Sequence, residues 1–341
     1  VLWFGFDIRR ISLQNSDDKD INRREFLIRC AKTGVSTLAA GTIAYKFYDS
    51  EGPGSSESIQ SGVVLPDFSI VEQKGRIAIA QGSDRIKTIQ TAFKALGGIE
   101  QFIKKGDRVL LKVNAAFASP PMLCATTNPQ LVAEVASLCL KAGAAKVLVT
   151  DNPINDPVSC FRLTGIEDAV RSAGAQVILP KETLFQPITL SGGKLIRNWP
   201  LLYDPLKDIN KLIGIAPLKD HHRSGASMTM KNWYGLLGGR RNVFHQDIHG
   251  IITELAMMIK PTLVILDGTT TMMTNGPTGG SLSDLKETNM MIVSTDQVAA
   301  DAFGAGLLER KLQELPYIAK AQAAGAGIAD YESLKIIRTS V

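Results

Sequence analysis

Short apolar runs recur from Ile77 to Val293, and the stretches between them space their apolar residues as helices do. This alternation is the strongest constraint on the fold. Strand, helix and strand in repeated succession can bury such runs only as βαβ units. The expected class is therefore α/β, a largely parallel (mixed) sheet flanked by helices. Strands are expected at Ile77–Ala80, Arg108–Val113, Lys146–Thr150, Gln176–Leu179, Leu212–Ile215, Leu263–Leu266 and Met290–Val293. Between and after them, helices are expected at Asp84–Leu96, Asn128–Ala142, Cys160–Ala173, Ile248–Ile259, Gln297–Leu308 and Tyr317–Ala324. Asn128 and Pro129 form a helix start, a capping side chain followed by proline at the first helical position.

Upstream of this body, Asn22-Arg23-Arg24-Glu25-Phe26-Leu27-Ile28-Arg29 resembles the twin-arginine export motif. A weakly apolar stretch of small residues, Thr33 to Ala44, follows it. Charge, weak apolarity and small residues in that order suit an export signal better than a folded helix, and the stretch is short for a membrane span. The expected organisation is a leader over residues 1–48, a flexible linker over 49–75, and an α/β domain over 76–335 that could divide into halves 76–185 and 205–335. Cleavage near Thr42-Ile43-Ala44 and retention as a membrane tether both stay open. The expected location is periplasmic or exported, with the twin-arginine export machinery as a partner.

Charge removes one class of partner. Residues 1–50 hold eight Lys/Arg against six Asp/Glu, so of the net +5 only +3 is spread over the other 291 residues. That is too thin for nucleic acid, which needs clustered positive charge. The four cysteines contain no Cys-x-x-Cys pair, so no zinc ribbon or ferredoxin cluster can be read locally. Cys139 reads as core, and Cys124 and Cys160 as free thiols or a disulfide.

Ligands of open α/β sheets bind beyond the carboxyl ends of the strands. Polar residues expected there are Asn114, Asp151-Asn152, Lys219-Asp220-His221-His222, Asp267 and Ser294-Thr295-Asp296, which together suggest one shared cleft. Lys231 and Asn232, followed by Arg240 and Arg241 behind Gly238-Gly239, suit an anionic group. The turn-rich Asn275-Gly276-Pro277 segment could bring backbone close to a ligand. All four histidines fall between His221 and His249. His245 and His249 are four apart, as on one helical face. No complete metal motif is present.

In these residues the chain resembles the domain of unknown function 362 family. The resemblance rests on Gly97-Gly98-Ile99, Gly106-Asp107-Arg108-Val109, Lys112-Val113-Asn114, Lys219-Asp220-His221 and Met230-Lys231-Asn232-Trp233-Tyr234-Gly235. Asp267-Gly268, Asn275-Gly276-Pro277 and the run Ser294 to Asp301 complete it, so that it covers about residues 75–330. It implies a family without an established reaction, in which twin-arginine leaders are frequent. Some relatives carry ferredoxin-type clusters; this chain lacks those cysteines, and no such cluster is expected. The family's Lys-x-His is followed here by a second histidine, which leaves open whether His221 or His222 faces the cleft.

Two functions compete. In the first, an exported enzyme acts on a small anionic substrate, with His221, Lys231 and Asp267 catalytic and Asn114, Lys219, Asn232, Asn275 and Asp296 binding substrate. A divalent metal is an open cofactor there, with His221, His245, His249 and Asp301 as candidate ligands. In the second, the same cleft serves an accessory or cofactor-binding protein of a periplasmic redox system, without turnover.

Overall fold

A computed structural model of the chain describes residues 23–46 and 64–341. The first segment is a single helix, α1 (Arg23–Lys46), within a unit that is separate from the body. The segment expected to be an export signal rather than a folded helix is helical over these residues. Thr33, Ser36, Thr37 and Thr42 each donate a hydroxyl to the carbonyl four residues earlier. Among the described residues no helix is long and apolar enough to cross a membrane.

Among the described residues the body has eleven strands: β1 (Arg76–Gln81), β2 (Arg108–Lys112), β3 (Lys146–Thr150), β4 (Gln176–Ile178), β5 (Phe185–Ile188), β6 (Trp199–Leu202), β7 (Lys211–His221), β8 (Gly225–Ser227), β9 (Leu263–Met272), β10 (Leu285–Ser294) and β11 (Lys335–Ser340). Its helices are α2 (Arg85–Ala95), α3 (Pro129–Lys141), α4 (Pro157–Leu163), α5 (Ile166–Ser172), α6 (Asp204–Lys207), α7 (Thr229–Asn232), α8 (Ile248–Met258), α9 (Gln297–Leu307) and α10 (Pro316–Ala323). The main sheet runs in the order β11-β1-β10-β9-β7-β2-β3-β4, with β8 paired to the end of β7 and β5-β6 forming a separate hairpin. All of its strands run parallel except β10 and β8. The α/β class with a largely parallel, mixed sheet is therefore what the chain adopts.

Alternation along the strands feeds two cores. Val109 and Leu111 point to the side filled by Phe93, Val132 and Phe161. Leu110 joins Leu212, Trp233, Leu255, Leu266 and Tyr317 on the other. Successive side chains of a strand take opposite faces, so each apolar run supplies both layers at once. Helix starts follow local chemistry. Asp84 accepts from the Ile86 and Lys87 amides, and Asn128 from those of Gln130 and Leu131, with Pro129 at the first position; each cap satisfies amides the helix leaves free.

Several expectations change. Residues 64–75 are no linker: Phe68 is buried, its amide donates to the Lys260 carbonyl, and its own carbonyl accepts the Thr262 hydroxyl. Halves divided near residue 185 do not exist, because β1 lies between β10 and β11 in the one sheet. The domain also runs past residue 335, where β11 adds an edge strand. The helix expected at 160–173 is two helices, split where Gly165 takes a left-handed φ of 71°.

Candidate functional site

The parallel strands β2, β3, β7 and β9 bring their carboxyl ends to one edge, and the lysines gather there. Lys112, the last residue of β2, is buried. It pairs with Asp151 just past β3 at 2.8 Å, and donates to the Val113 carbonyl at 2.6 Å and Asn232 Oδ1 at 3.1 Å. Asp151 also accepts the Ala115 amide at 2.7 Å. The pair needs Gly235 above it: a Cβ there would collide with Asp151 Oδ1 and lie 2.8 Å from Lys112 Nζ. Burial lowers the Lys112 pKa, with Asp151 opposing.

β7 continues three residues beyond its apolar run, which ends at Leu218, because β8 folds back on it, pairing Lys219 with Ser227 and His221 with Gly225. Lys219 and His221 thus share one face of the strand while Asp220 takes the other, where it meets Arg310 at 3.1 Å and the Gly276 amide at 3.0 Å. Lys219 is buried, donates to the Ala125 carbonyl, and lies 5.2 Å from the centre of the Phe117 ring. Burial, and then the neighbouring Lys231, bring its pKa down to about 7. Lys231, half-buried on α7, has its Nζ 5.4 Å from the centre of the Tyr234 ring. Burial and then Arg241 bring it down to about 8. Among the described residues no carboxylate forms an ion pair with either lysine.

His221 is locked in one protonation state. Its Nδ1 accepts the backbone amides of Arg223 at 3.2 Å and Ser224 at 3.3 Å. A nitrogen that accepts from amides carries no proton, so the ring is neutral with its hydrogen on Nε2. Burial, then Lys231 and Lys219, push its pKa down to about 2. The exposed His222 stacks on it at 5.1 Å, and His245 at 6.4 Å on ring centroids. His222 instead turns to the Gly276 carbonyl, with Nδ1 at 3.2 Å. Gly276 must be glycine, since a Cβ would strike the Asp220 backbone.

On Tyr234 and His245, which neighbour Lys231 and His221, opens a cavity of about 640 Å³ that Arg241 also borders. The Arg241 guanidinium donates to the carbonyls of Tyr234, Leu237, Asn152 and Pro153. It therefore fastens loops together and contributes charge more than free donors.

Over residues 109–306 the sequence matches the family described as domain of unknown function (DUF362). The chain belongs to this family. It is also 27% identical over 253 residues to the thylakoid-associated protein sll1697 of Synechocystis sp., a match covering 70% of this chain and 75% of that protein. Among solved structures, the lactate racemase apoprotein from Thermoanaerobacterium thermosaccharolyticum matches at 15% identity and a TM-score of 0.39, over 72% of this chain. The chain spans 58% of that structure's length. A Thermotoga maritima protein matches at 11% identity and a TM-score of 0.32, over 53% of this chain and 50% of its own.

In this DUF362 chain the residues singled out from sequence separate into two groups. Lys219, His221, Lys231 and Asn232 come together. Asn232, which bonds Lys112 from both ends and the Ile215 carbonyl at 3.3 Å, ties β2 to β7. Asn114 sits at the foot of the same edge, its backbone stitched to Thr127 and its buried Oδ1 without a partner.

The others lie elsewhere. Asp267 falls within β9, not after it. It faces the α2 side and pairs with Arg85 at 2.7 Å, whereas Lys231 rides on α7, packed with α8 and α9. Asp296 leaves the sheet at the opposite edge because β10 runs antiparallel. There it caps α9 through the Val298 and Ala299 amides. Asn275 is exposed and bonds Asp284 at 2.6 Å.

Asp301 is fully buried and accepts the Thr229 amide, the Thr229 hydroxyl and the Met230 amide. It holds α7 and is no cleft ligand. His245 and His249 do not act together, since His249 stacks on Tyr317 at 6.0 Å while His245 turns toward His221 and Tyr234. Among the described residues no three His, Cys, Asp or Glu side chains are grouped to hold a metal. Cys124 and Cys160 are free thiols.

Asp151 and Arg241 are among the residues expected near the cleft but without a role, and Tyr234 enters only through the family resemblance. Asp151 had the right signal, its place just after β3. The other two are reached only through folding of the 233–247 segment across the strand ends.

Proposed function

We propose that this DUF362 protein is an enzyme that binds a small anionic substrate at the lysine edge and moves a proton on it. Lys231 holds the anion, Lys219 serves as the base and neutral His221 as the hydrogen-bond donor. The observation that carries the reading is the convergence of Lys219 and Lys231 without a carboxylate partner, next to a histidine fixed as an Nε2 donor. Two ammonium groups in a poorly solvated site repel each other, and an anion between them relieves that repulsion. Lys219, the amine with the lower pKa, gives up its proton first as pH rises through about 7, and can then accept one from a substrate whose charge Lys231 holds. His221 cannot share that task, because its free nitrogen is already engaged by amides.

Sulfate keeps its charge across the relevant pH range and tests the binding step. An anion favours the protonated amines, so affinity is full below pH 7 and falls as pH rises through about 7 and about 8, the values for Lys219 and Lys231. Above the pKa of a linked amine the loss is roughly tenfold per pH unit. Calorimetric titration from pH 6 to 9 should show this fall, and Lys231→Met should abolish binding. A flat pH profile, or unchanged binding by the variant, overturns the reading.

The Asn22–Arg29 motif supports a second part of the proposal, export by the twin-arginine route. Replacing Arg23 and Arg24 by lysine should then keep the protein in the cytoplasm; unchanged recovery outside it would refute export.

A further inference from the structure

We infer that the cavity on Tyr234 and His245 is a second subsite, which takes the uncharged, ring-bearing body of the ligand whose anionic end meets Lys231. The inference rests on the anion reading above. Its volume of about 640 Å³ lies within the ~300–1,000 Å³ of small-molecule sites. Its walls are ring and aliphatic surface from Pro153, Ile154, Phe185, Pro200 and Tyr234. Tyr234 joins the two subsites, with the Lys231 ammonium 5.4 Å from its ring centre. His245 borders the cavity and stacks toward His221.

The far wall is fastened in place. Phe185 and Pro200 come from the β5-β6 hairpin, which lies outside the main sheet. The hairpin is tied to the Gly238 segment by Trp199 Nε1 on the Gly238 carbonyl at 3.1 Å and the Gly238 amide on the Pro200 carbonyl at 2.8 Å. A Cβ at Gly238 would lie 2.6 Å from the Phe185 ring, so the absence of a side chain there lets the ring stand at the wall. Arg241 has its guanidinium committed to four carbonyls. Glu182, also on the lining, is exposed and disfavours a second negative group at that end. The ligand class is therefore an anion with one charged end and a neutral aromatic or alicyclic body.

Methylphosphonate and phenylphosphonate, titrated by calorimetry into the full chain, separate the two subsites. Phenylphosphonate should bind at least about tenfold more tightly, the gain expected for burying one ring. Ile154→Glu, at a position 65% exposed and so tolerant of charge, should erase that advantage and leave methylphosphonate within about twofold. Phe185→Ala should shrink the advantage in the same way. Equal binding of the two phosphonates, or an advantage that survives both substitutions, overturns the cavity assignment while leaving the anion site standing. Failure of both phosphonates to bind overturns the anion reading itself.

Discussion

Lys112 shows how much of the site is settled by single residues. A lysine and an aspartate out of contact with water lose their hydration, and the pair holds only where geometry returns it. Here the ammonium has two hydrogen-bond acceptors beside the ion pair, and the carboxylate accepts an amide besides. Lys112→Met should therefore cost about 3–5 kcal/mol, because it strands Asp151 buried and charged. Urea unfolding should show that loss, and the double variant Lys112→Met/Asp151→Leu should recover part of it. A single variant as stable as the wild type would contradict the account. In sequence Lys112 is only a fault in an apolar run; its partner stands just past the next strand, and nothing in the spacing joins the two.

At the scale of elements, α7 is four residues long and has no stability of its own. Asp301 holds it, and burial raises that carboxyl to about 7 against the pull of its Thr229 and Met230 donors. Its unfolded value is near 3.8. Between those pH values the folded protein keeps a proton that the unfolded chain releases, so this contribution to stability falls as pH rises from about 4 to about 7. Asp301→Asn should remove that slope. A stability difference between variant and wild type that stays constant from pH 4.5 to 7.5 would rule it out.

The helix-strand alternation made most of the sheet legible, since buried apolar runs and Asn or Asp caps are local signals. Three elements carried no such signal. The polar end of β7 reads as a loop because β8, which pairs with it, is three residues of Gly, Ala and Ser. β11 is half exposed, so its apolar pattern is weak. The direction of β10 is set by its neighbours, and that direction moved Asp296 away from the edge where Lys219 and His221 meet.

Across the whole molecule, the sheet order fixes when its parts can be completed. β1 ends at Gln81, yet the two strands that pair with it, β10 and β11, begin only at Leu285 and Lys335. Pairings this distant in sequence form slowly, because chain entropy must be lost before they return anything. β2, β3 and β4 follow one another closely and pair directly. In refolding followed by pulsed hydrogen exchange, the amides of Val109–Leu111 and Val147–Val149 should gain protection before those of Ile77–Ala80. Simultaneous protection of both sets would refute the order. On the ribosome the same placement has a plain consequence: β1, made before the other described strands of the sheet, is the last of them to find its neighbours. Until β10 and β11 have been made, Ile77, Ala78, Ile79 and Ala80 present an apolar ribbon with two bare edges, the segment a holding chaperone would have most reason to cover.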